Sequence, residues 1–495
     1  MGSTDLKRGL KFTGAGALAL LVLLSAAVAV NTLRNGSRQL QVRPAPPLAL
    51  NEQAAAARLA AALKFRTIAD ADAPEASADQ FALLQDYLVQ AYPRLHAALR
   101  REVVGHSLLY TWQGSDPAAK PILWMAHQDV VPIAPGTGKD WQQQPFGGVV
   151  QDGFIWGRGS WDDKGNLFAQ MEAVELLLAS GFVPRQTVYL AYGADEEVGG
   201  PRGAARLAAL LKSRKVHLGY VLDEGMMVTE GILKGLTQPA ALVGVAEKGY
   251  ATVNMDLSVA PGHSSDPPAH TAIGMMSEAI ARLEEHQLPA EMNGVARDMF
   301  ATIAPEMTGF NRVALSNLWL FGPLVRHQLE QSSATAAMLR TTTAPTIINA
   351  GNKDNVLPGN ANASINFRLR PGDSVQNVLQ HVRETVANDA IRIRTSGVTM
   401  EPSPVSRTDA PSYLAIARTV REVFPGAVVA PALVVGATDS RYYADLSDDV
   451  YKFSPVRAGP TDIPRFHGTN ERIAIKNYAE MIRFYHRLLQ NNGQS

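Results

Sequence analysis

The sequence predicts an α/β fold in which one mixed sheet has helices on both faces and is interrupted by a smaller α+β unit. Short apolar runs typical of buried strands alternate with helical runs over residues 108–222, the order expected of such a sheet. The order changes between residues 244 and 402 and resumes afterwards. The chain has 495 residues, more than one hydrophobic core usually supports, so either two domains or one domain with a large insertion is expected. Because the α/β order is interrupted and then resumes, we expect one core, residues 51–243 and 403–495, that carries residues 244–402 as an insertion.

The elements of the core follow from hydrophobic periodicity. Apolar runs rich in β-branched and aromatic residues predict strands at 108–112, 121–126, 187–192 and 218–222. Apolar residues spaced three and four apart predict helices at 52–65, 79–100, 167–180, 203–214, 412–423 and 477–490. Because strands and helices alternate, the sheet is expected to be covered on both faces.

The insertion has its own pattern. Strands are predicted at 250–259, 346–350, 361–369 and 391–395, and helices at 272–286 and 374–388. This order suits a split-βαβ, ferredoxin-like unit. Residues 289–344 are poorly periodic and are expected to form an excursion from that unit.

The N-terminus carries a targeting pattern. Basic residues precede an uncharged stretch, residues 12–30, that is about long enough to cross a ~30 Å hydrocarbon core as a helix. We predict that residues 1–33 are a signal anchor, and a small-x-small site at residues 27–29 leaves cleavage open. By the positive-inside rule the rest of the chain would lie on the exported side, which is periplasmic, extracellular or lumenal.

A proline-rich linker follows at residues 34–50. Its segment Arg43-Pro44-Ala45-Pro46-Pro47 is expected to be extended and to hold the folded part away from the bilayer. The membrane is therefore one expected partner of the chain.

The amino-acid composition limits the possible partners and the possible metal ligands. The chain has 46 basic and 46 acidic residues and no run of Lys or Arg that could follow a phosphate backbone, which argues against nucleic acid as a partner. It has no cysteine, which excludes disulfides, thiolate zinc sites and a cysteine nucleophile. Histidine and carboxylate side chains therefore remain as metal ligands.

Histidine and acidic residues cluster where predicted strands end, which is where open α/β sheets place their ligands. His127 and Asp129 follow one apolar strand and share an orientation, because side chains alternate along an extended chain. A single cluster of this kind is usually a hydrogen-bonded pair, a surface charge or a helix cap, so the conjunction of several carries the inference. The others are Asp162-Asp163 after a glycine-rich turn, Asp195-Glu196-Glu197, Asp223-Glu224 and His467-Gly468. Together they suit a pair of metal sites with nitrogen and oxygen ligands.

In order and spacing these motifs resemble the zinc metallopeptidase family of aminoacylase, carboxypeptidase S and succinyl-diaminopimelate desuccinylase. The resemblance runs from about residue 52 to the C-terminus and includes Gly157-Arg158-Gly159-x-x-Asp162-Asp163-Lys164-Gly165. The phrase Trp141-x-x-x-Pro145-Phe146-Gly147-Gly148 is most similar to the branch of carboxypeptidase S and its secreted N-acyl-amino-acid amidohydrolase relatives. The resemblance implies a zinc-peptidase catalytic domain whose insertion is a lid or dimerisation unit.

The resemblance also implies two Zn²⁺ per subunit, with Co²⁺ or Mn²⁺ as alternatives. Asp162 would bridge the two ions. The remaining ligands would be His127 and Asp223 at one site, and Glu197 and His467 at the other. Either Asp223 or Glu224 could be the ligand at its position, and strand register favours Asp223.

Other residues receive roles from the same resemblance. Glu196 would be the general base, and Asp129 would orient the imidazole of His127. His263 would help to polarise the scissile carbonyl. Substrate-binding stretches of the family are matched by Asn355, Arg368 and Arg441. Either arginine could receive a substrate carboxylate through a bidentate fork.

The predicted function is zinc-dependent hydrolysis of an amide or peptide bond next to a free carboxylate, as in a carboxypeptidase S-like peptidase. An N-acyl-amino-acid amidohydrolase, or the same enzyme running in reverse as a condensing enzyme, is the alternative, and the sequence does not separate the two. A non-catalytic binding protein of the same fold is disfavoured because all five ligands and Glu196 are present. The expected substrates are small peptides or N-acyl amino acids. Some members of the family form homodimers through the insertion, so the resemblance implies either such a homodimer here or a long excursion that supplies the same contact within one chain.

Overall fold

The structure of the protein, a computed structural model, describes residues 3–493, with side chains described from residue 16 onward. Its strands are β1 (Arg100–Val104), β2 (Ser107–Trp112), β3 (Ile122–His127), β4 (Val149–Gln151), β5 (Phe154–Trp156), β6 (Val188–Gly193), β7 (Tyr220–Thr229), β8 (Ala240–Glu247), β9 (Gly249–Ser258), β10 (Gly262–His263), β11 (Thr342–Ala350), β12 (Val356–Leu357), β13 (Asn360–Leu369), β14 (Ile391–Met400), β15 (Val428–Val434), β16 (Val450–Ala458) and β17 (Arg472–Ala474). Its α-helices are α1 (Ser3–Arg34), α2 (Glu52–Ala62), α3 (Ala78–Ala91), α4 (Pro93–Ala98), α5 (Lys164–Ala179), α6 (Ala204–Ser213), α7 (Ala272–Glu285), α8 (Gly294–Ile303), α9 (Gly309–Ser316), α10 (Leu318–Glu330), α11 (Ser333–Leu339), α12 (Val375–Val386), α13 (Pro411–Val423) and α14 (Ile475–Asn492).

Eight strands form the larger sheet, in the order β1-β2-β6-β3-β7-β16-β8-β15. Its centre is parallel, because β3 runs parallel to β6 and β7, and β7 runs parallel to β16, whereas β2 pairs antiparallel with β1 and β6. Successive residues of β3 enter different cores: Trp124 packs with α5 and α14 on one face, and Leu123 and Met125 pack with α6 on the other. The predicted α/β fold, a mixed sheet with helices on both faces, is confirmed.

The insertion is built on a separate four-stranded antiparallel sheet in the order β11-β13-β9-β14. Helices α7 and α12 share a core with this sheet, to which Val253, Ile365 and Val378 contribute. The order β9-α7-β11-β13-α12-β14 is the ferredoxin-like order that the sequence predicts. The chain passes from the larger to the smaller sheet at Lys248, and the limits of the insertion at residues 244–402 stay a prediction.

Four helices, α8–α11, occupy the excursion, to which the sequence analysis assigns no elements. Helix α8 packs on the larger sheet, where Met299 and Ile303 share a core with Leu242 of β8 and Val428 of β15. The four helices have 10, 8, 13 and 7 residues, and only α8 buries more than one of them. Helix α8 is short, and the other three helices bury almost nothing, so the excursion has no clear apolar period in the sequence.

Helix α1 includes Gly16–Arg34, a stretch that is long and apolar enough to cross a membrane. None of its residues is buried, and only Leu24, Val28 and Thr32 are partly buried. These three positions are four residues apart and therefore lie on one face of the helix. A signal anchor and a signal peptide both have such a helix, so the anchor stays a prediction.

The connector after α1, which the sequence predicts to be extended, makes hydrogen bonds with the folded part. The side-chain amide of Gln39 accepts the N–H of Val429 at 2.7 Å and donates to its carbonyl oxygen at 3.0 Å. The N–H of Ala45 donates to the carbonyl oxygen of Glu422 at 2.8 Å. Val429 belongs to β15, the edge strand, whose unpaired backbone groups the connector satisfies. This pairing holds the connector against the larger sheet.

Lys248, between the two sheets, is a buried lysine. Its side chain is 2% exposed, and Nζ donates to the carbonyl oxygens of Ala337 at 2.9 Å and Arg340 at 2.8 Å, near the end of α11. Burial, together with the nearby Arg368, lowers the pKa of Lys248 to about 7. A neutral amine still has two N–H donors, which is enough for both carbonyl oxygens.

The contribution of Lys248 to stability should rise with pH from about 7 towards 10. In this range the unfolded lysine holds a proton that the folded lysine has released, which favours folding by up to ~1.4 kcal/mol per pH unit as pH rises. We expect the thermal unfolding midpoint of the full chain in detergent, relative to Lys248→Met, to increase from neutral to alkaline pH. A difference that does not change with pH would mean that the folded lysine stays protonated.

Candidate metal centre

The candidate ligands meet at the carboxyl ends of parallel strands of the larger sheet, where open α/β sheets bind ligands. His127 is the last residue of β3, the turn Glu196–Val198 follows β6, and Glu224 lies within β7. Asp162 lies in the turn before α5, and His467 lies in the loop before β17. The five sequence motifs therefore converge on one place.

Two groups of side chains with metal-ligand geometry share Asp162. In the first, Nε2 of His127 is 3.0 Å from Oδ1 of Asp162 and 3.4 Å from Oε1 of Glu224. In the second, Nε2 of His467 is 2.7 Å from Oδ2 of Asp162 and 3.4 Å from Oε2 of Glu197. Each oxygen of the Asp162 carboxylate thus faces a different histidine, which is the arrangement of a carboxylate that bridges two cations.

The electrostatics of the cluster fit bound cations. Burial and the Asp162 carboxylate raise the pKa of Glu224 to about 8, and burial also raises the pKa of Glu197. Hydrogen bonds with Asp162 and Glu197 raise the pKa of His467 to about 10. Oε1 of Glu197 is buried without a hydrogen-bond partner in the described part of the chain. Nitrogen and carboxylate donors within 4.8 Å of one another, crowded with negative charge, suit divalent metals of the zinc type.

Glu224 joins the first group in place of Asp223, which the sequence analysis favours. The carboxylate of Asp223 instead accepts the N–H of Glu224 at 2.9 Å and the N–H of Ser440 at 2.8 Å. The pairing of β7 with β16 is irregular directly after Asp223. Such a bulge breaks the alternation of side chains along the strand, and register is therefore a poor guide at this position.

Asp129 contacts both the first histidine and the turn that carries the two glutamates. Its carbonyl oxygen is 3.0 Å from Nδ1 of His127, and its carboxylate is 3.4 Å from the same nitrogen. The carboxylate oxygens also accept the N–H groups of Glu196 at 3.2 Å and Glu197 at 3.0 Å. Of these contacts, only the one with His127 is predicted from the sequence.

Glu196 belongs to neither ligand group, although its neighbour Glu197 does. Burial and the nearby Glu224 carboxylate raise the pKa of Glu196 well above its usual value. Its backbone is held by Asp129, and its carboxylate lies beside the cluster and binds a proton more readily than a free glutamate does. These are the properties expected of a general base.

Arg158 and Glu471 form a buried ion pair that the sequence analysis does not identify. Nη1 of Arg158 donates to Oε2 of Glu471 at 2.5 Å, and Nη2 donates to the carbonyl oxygens of His467 and Gly468, both at 3.1 Å. Oε1 of Glu471 accepts the N–H of Asp162 at 3.2 Å. The pair therefore fastens the His467 loop to the Asp162 turn. Arg158 lies inside the glycine-rich motif and Glu471 follows the His467-Gly468 motif by three residues, so their opposite charges were the available signal.

Two of the predicted substrate residues and His263 lie on the smaller sheet or its hairpin. His263 in β10 is exposed, and its Nδ1 is 2.8 Å from Oγ of Ser265. The carbonyl oxygen of Asn355 accepts the N–H of Ser264 at 3.2 Å, so Asn355 and His263 are neighbours. The guanidinium of Arg368 lies 4.7 Å from the ring centre of Tyr250. None of these three predicted residues belongs to the ligand groups found among the described residues.

Arg441 lies beside the metal centre. Its guanidinium donates to the carbonyl oxygens of Gly199 at 2.5 Å and Thr438 at 3.1 Å. Gly199 closes the turn that carries Glu196 and Glu197. Burial lowers the pKa of Arg441, but a hydrogen bond with Tyr442, together with nearby negative charge that includes Glu196, raises this pKa above its usual value. Arg441 is thus the one predicted substrate residue in contact with this turn.

Known sequences that match the chain agree with the family suggested by its motifs. A sequence model described as "Peptidase family M20/M25/M40" matches residues 123–491. The chain is 42% identical over 411 residues to "N-fatty-acyl-amino acid synthase/hydrolase PM20D1.1" of Danio rerio, covering 82% of this chain and 79% of that protein. It is 36% identical over 483 residues to "Probable carboxypeptidase S-like 2" of Dictyostelium discoideum, covering 95% of this chain and 92% of that protein.

Solved structures share the fold. The M20 family metallo-carboxypeptidase Sso-CP2 from Sulfolobus solfataricus matches with a TM-score of 0.65 and 19% sequence identity, over 90% of this chain and 100% of that chain. Human carnosine dipeptidase 1 matches with a TM-score of 0.62 and 16% identity, over 91% of this chain and 100% of that chain. At these identities the likeness concerns the fold alone.

Metal binding should depend on Glu224 and not on Asp223. We expect Glu224→Gln to weaken the binding of one of two zinc ions by at least about 100-fold, more than the loss of an outer hydrogen-bond partner usually costs. Asp223→Asn is the matched control and should retain both ions. Zinc content after dialysis against a competing chelator, measured by plasma mass spectrometry, checks this. Loss of zinc in Asp223→Asn alone would restore the assignment made from the sequence.

Proposed function

Because the chain belongs to peptidase family M20/M25/M40, we propose that it is a zinc-dependent hydrolase of amide or peptide bonds next to a free carboxylate, in the manner of a carboxypeptidase S-like peptidase. The observation that carries this proposal is the Asp162 carboxylate, whose two oxygens face His127 and His467. Its substrates would be small peptides or N-acyl amino acids.

The proposed cofactors are two Zn²⁺ ions, with Co²⁺ or Mn²⁺ as alternatives. The ligands would be His127, Asp162 and Glu224 for one ion, and Asp162, Glu197 and His467 for the other. When bound, such a pair of ions acidifies a water molecule and polarises the carbonyl group of the scissile bond.

Glu196 is the proposed general base. Its carboxylate accepts a proton from the attacking water, whose oxygen bonds to the carbonyl carbon, and returns a proton to the nitrogen as the C–N bond breaks. A raised pKa, caused by burial, brings Glu196 closer to neutral pH and so suits both transfers. Asp129 holds the backbone of Glu196 and Glu197, which keeps the base and its neighbouring ligand in register.

The substrate carboxylate would be received by Arg441 or Arg368, with Asn355 nearby on the smaller sheet. Arg441 has the stronger support, because it contacts the Glu196–Val198 turn region through the carbonyl oxygen of Gly199. A guanidinium binds a carboxylate through two parallel hydrogen bonds, which would select substrates with a free terminal acid.

His263 is proposed to polarise the scissile carbonyl from a second copy of the chain, in a homodimer that forms through the insertion. Strand β11 is an edge of the smaller sheet, and Ile347 and Ile348 on it are 54% and 53% exposed. An exposed apolar edge strand favours pairing with another chain. In such a dimer the β10–β12 hairpin of one copy would complete the metal centre of the other.

The catalytic region is proposed to lie on the exported side of a membrane, whether periplasmic, extracellular or lumenal, with α1 as an uncleaved anchor. The support is the apolar Gly16–Arg34 stretch and the basic residues that precede it.

A second candidate function, N-acyl-amino-acid hydrolysis or the reverse condensation, is favoured by the relative named "N-fatty-acyl-amino acid synthase/hydrolase", which is the more identical of the two relatives. Both functions break an amide bond beside a carboxylate. They differ only in the acyl group that the site accepts.

Hydrolysis by the full chain of substrates that share a C-terminal leucine should separate these functions. We expect blocked-peptidyl leucine to be cleaved, the reaction to stop with chelator and to return with zinc. Glu196→Gln should lower kcat by about 10²- to 10⁴-fold, because the base is lost while the ligands remain. Preference for a long-chain fatty-acyl group would select the second candidate, and absence of cleavage with zinc bound would refute both.

Mixing two inactive variants should test whether His263 acts across a dimer. His263→Ala and Glu196→Gln chains, each nearly inactive alone, would form mixed dimers in which one of two composite sites is intact. We expect the mixture to recover about a quarter of wild-type activity if the chains exchange at random. Dimers that form without any recovery would show that His263 does not act in trans.

A further inference from the structure

Helices α9 and α10 form a hairpin, residues 309–330, whose apolar side chains are poorly covered. Residues 313–325 contain no charged side chain. A run of thirteen uncharged residues is too short to cross a bilayer and is typical of a core helix or of a segment in the membrane interface. All of α10 lies in the described part of the chain, and none of its residues is buried. A core helix is therefore excluded.

Several exposed residues of the hairpin are large and apolar. Phe310 and Trp319 are each 58% exposed, and Leu324 is 52% exposed. Leu320, which precedes Leu324 by one helical turn, is 37% exposed. Contiguous apolar surface of this kind is unusual on a protein that meets only water and marks an interaction site.

The hairpin contacts α1 on the one face of that helix that is partly covered. Val313, Leu320 and Phe321 line an apolar groove together with α1, whose contribution includes Leu24 and Val28. The other faces of the Gly16–Arg34 stretch carry no cover among the described residues. The hairpin and the candidate membrane span therefore form one continuous apolar surface.

Asn317 fixes the height of the hairpin along α1. Its buried amide donates to Oγ1 of Thr32 at 3.0 Å and to the carbonyl oxygen of Val28 at 3.3 Å. Val28 precedes Arg34 by six residues, which is about 9 Å along a helix, so this contact lies near the end of the apolar stretch. The indole N–H of Trp319 donates to Oδ1 of Asn317 at 3.2 Å. A tryptophan at this height matches the aromatic belts of membrane interfaces.

We propose that the α9–α10 hairpin lies in the surface of the bilayer that α1 spans, as a second membrane contact of the catalytic region. Its partner is the lipid bilayer: apolar side chains enter the acyl region, and Arg312 and Arg326, which flank the uncharged run, reach the phosphate groups of the lipids. The inference rests on the proposed anchoring by α1. Lipid is chosen as the partner because the apolar surface of the hairpin is continuous with the candidate membrane span. Exposure of apolar side chains alone would not identify the partner.

The absence of cysteine permits a direct test by single-site spin labelling. Leu320→Cys and Leu324→Cys place labels on the apolar surface, and Gln328→Cys places one on an exposed polar position of the same helix. Val398→Cys is the matched control, because Val398 is 71% exposed on β14 of the smaller sheet. Each labelled full chain is reconstituted into phosphatidylcholine–phosphatidylglycerol nanodiscs, and collision of the label with oxygen and with an aqueous nickel chelate is measured.

We expect the labels at 320 and 324 to collide several-fold more with oxygen, and several-fold less with the chelate, than the label at 398. Equal access of the chelate to all positions would overturn the inference. Dipolar broadening between labels at 324 would overturn it in favour of a second copy of the chain. If the unlabelled chain fails to float with lipid, the anchoring and the inference fail together, whereas a floating chain with water-exposed labels refutes the hairpin alone.

Discussion

The carboxylate of Asp162 contacts two histidines that lie far apart in the sequence, and much of the structure serves to bring them together. His127 ends a strand of the larger sheet, whereas His467 arrives on a loop near the C-terminus. The chain therefore has to return to the same sheet after the insertion, which it does through β15, β16 and α14. The buried Arg158–Glu471 pair then fastens the returning loop to the Asp162 turn.

The same arrangement concentrates charge in a buried place. Asp162, Glu196, Glu197 and Glu224 lie together, and burial raises the pKa of three of them. Buried carboxylates are costly unless cations or protons neutralise them, so the ligands of such a centre and its metals are expected to stabilise one another. The Arg158–Glu471 ion pair holds these buried carboxylates in a fixed geometry. Backbone N–H groups that donate to the carboxylates of Asp129 and Glu471 contribute to the same geometry.

Sequence reasoning predicts those features that depend on local pattern. The alternation of strands and helices gave the α/β fold, and motifs at strand ends marked the residues of the cluster. Strand alternation favoured Asp223 as the ligand, because the bulge in β7 is not visible in the local sequence. The bulge arises from the pairing of β7 with β16. Three of the four helices of the excursion bury at most one residue each, so their sequence has no apolar period to detect. The docking of Gln39 depends on an edge strand, β15, that lies nearly four hundred residues away in the chain. His263 matched a motif, yet its distance from the centre depends on how the insertion and its partners are arranged.

The metal centre by itself does not distinguish a peptide from an N-acyl amino acid, because its groups act only on the amide bond and the neighbouring carboxylate. Selection must come from surfaces that meet the rest of the substrate. Asn317 binds α1, and Gln39 of the connector that follows α1 binds β15, so the catalytic region is tied to the N-terminal part of the chain at two points. A catalytic region held in this way would face the membrane surface, where long-chain acyl groups concentrate and short peptides do not. Under the proposed anchoring, α1 and the hairpin would influence substrate selection without touching the reacting atoms.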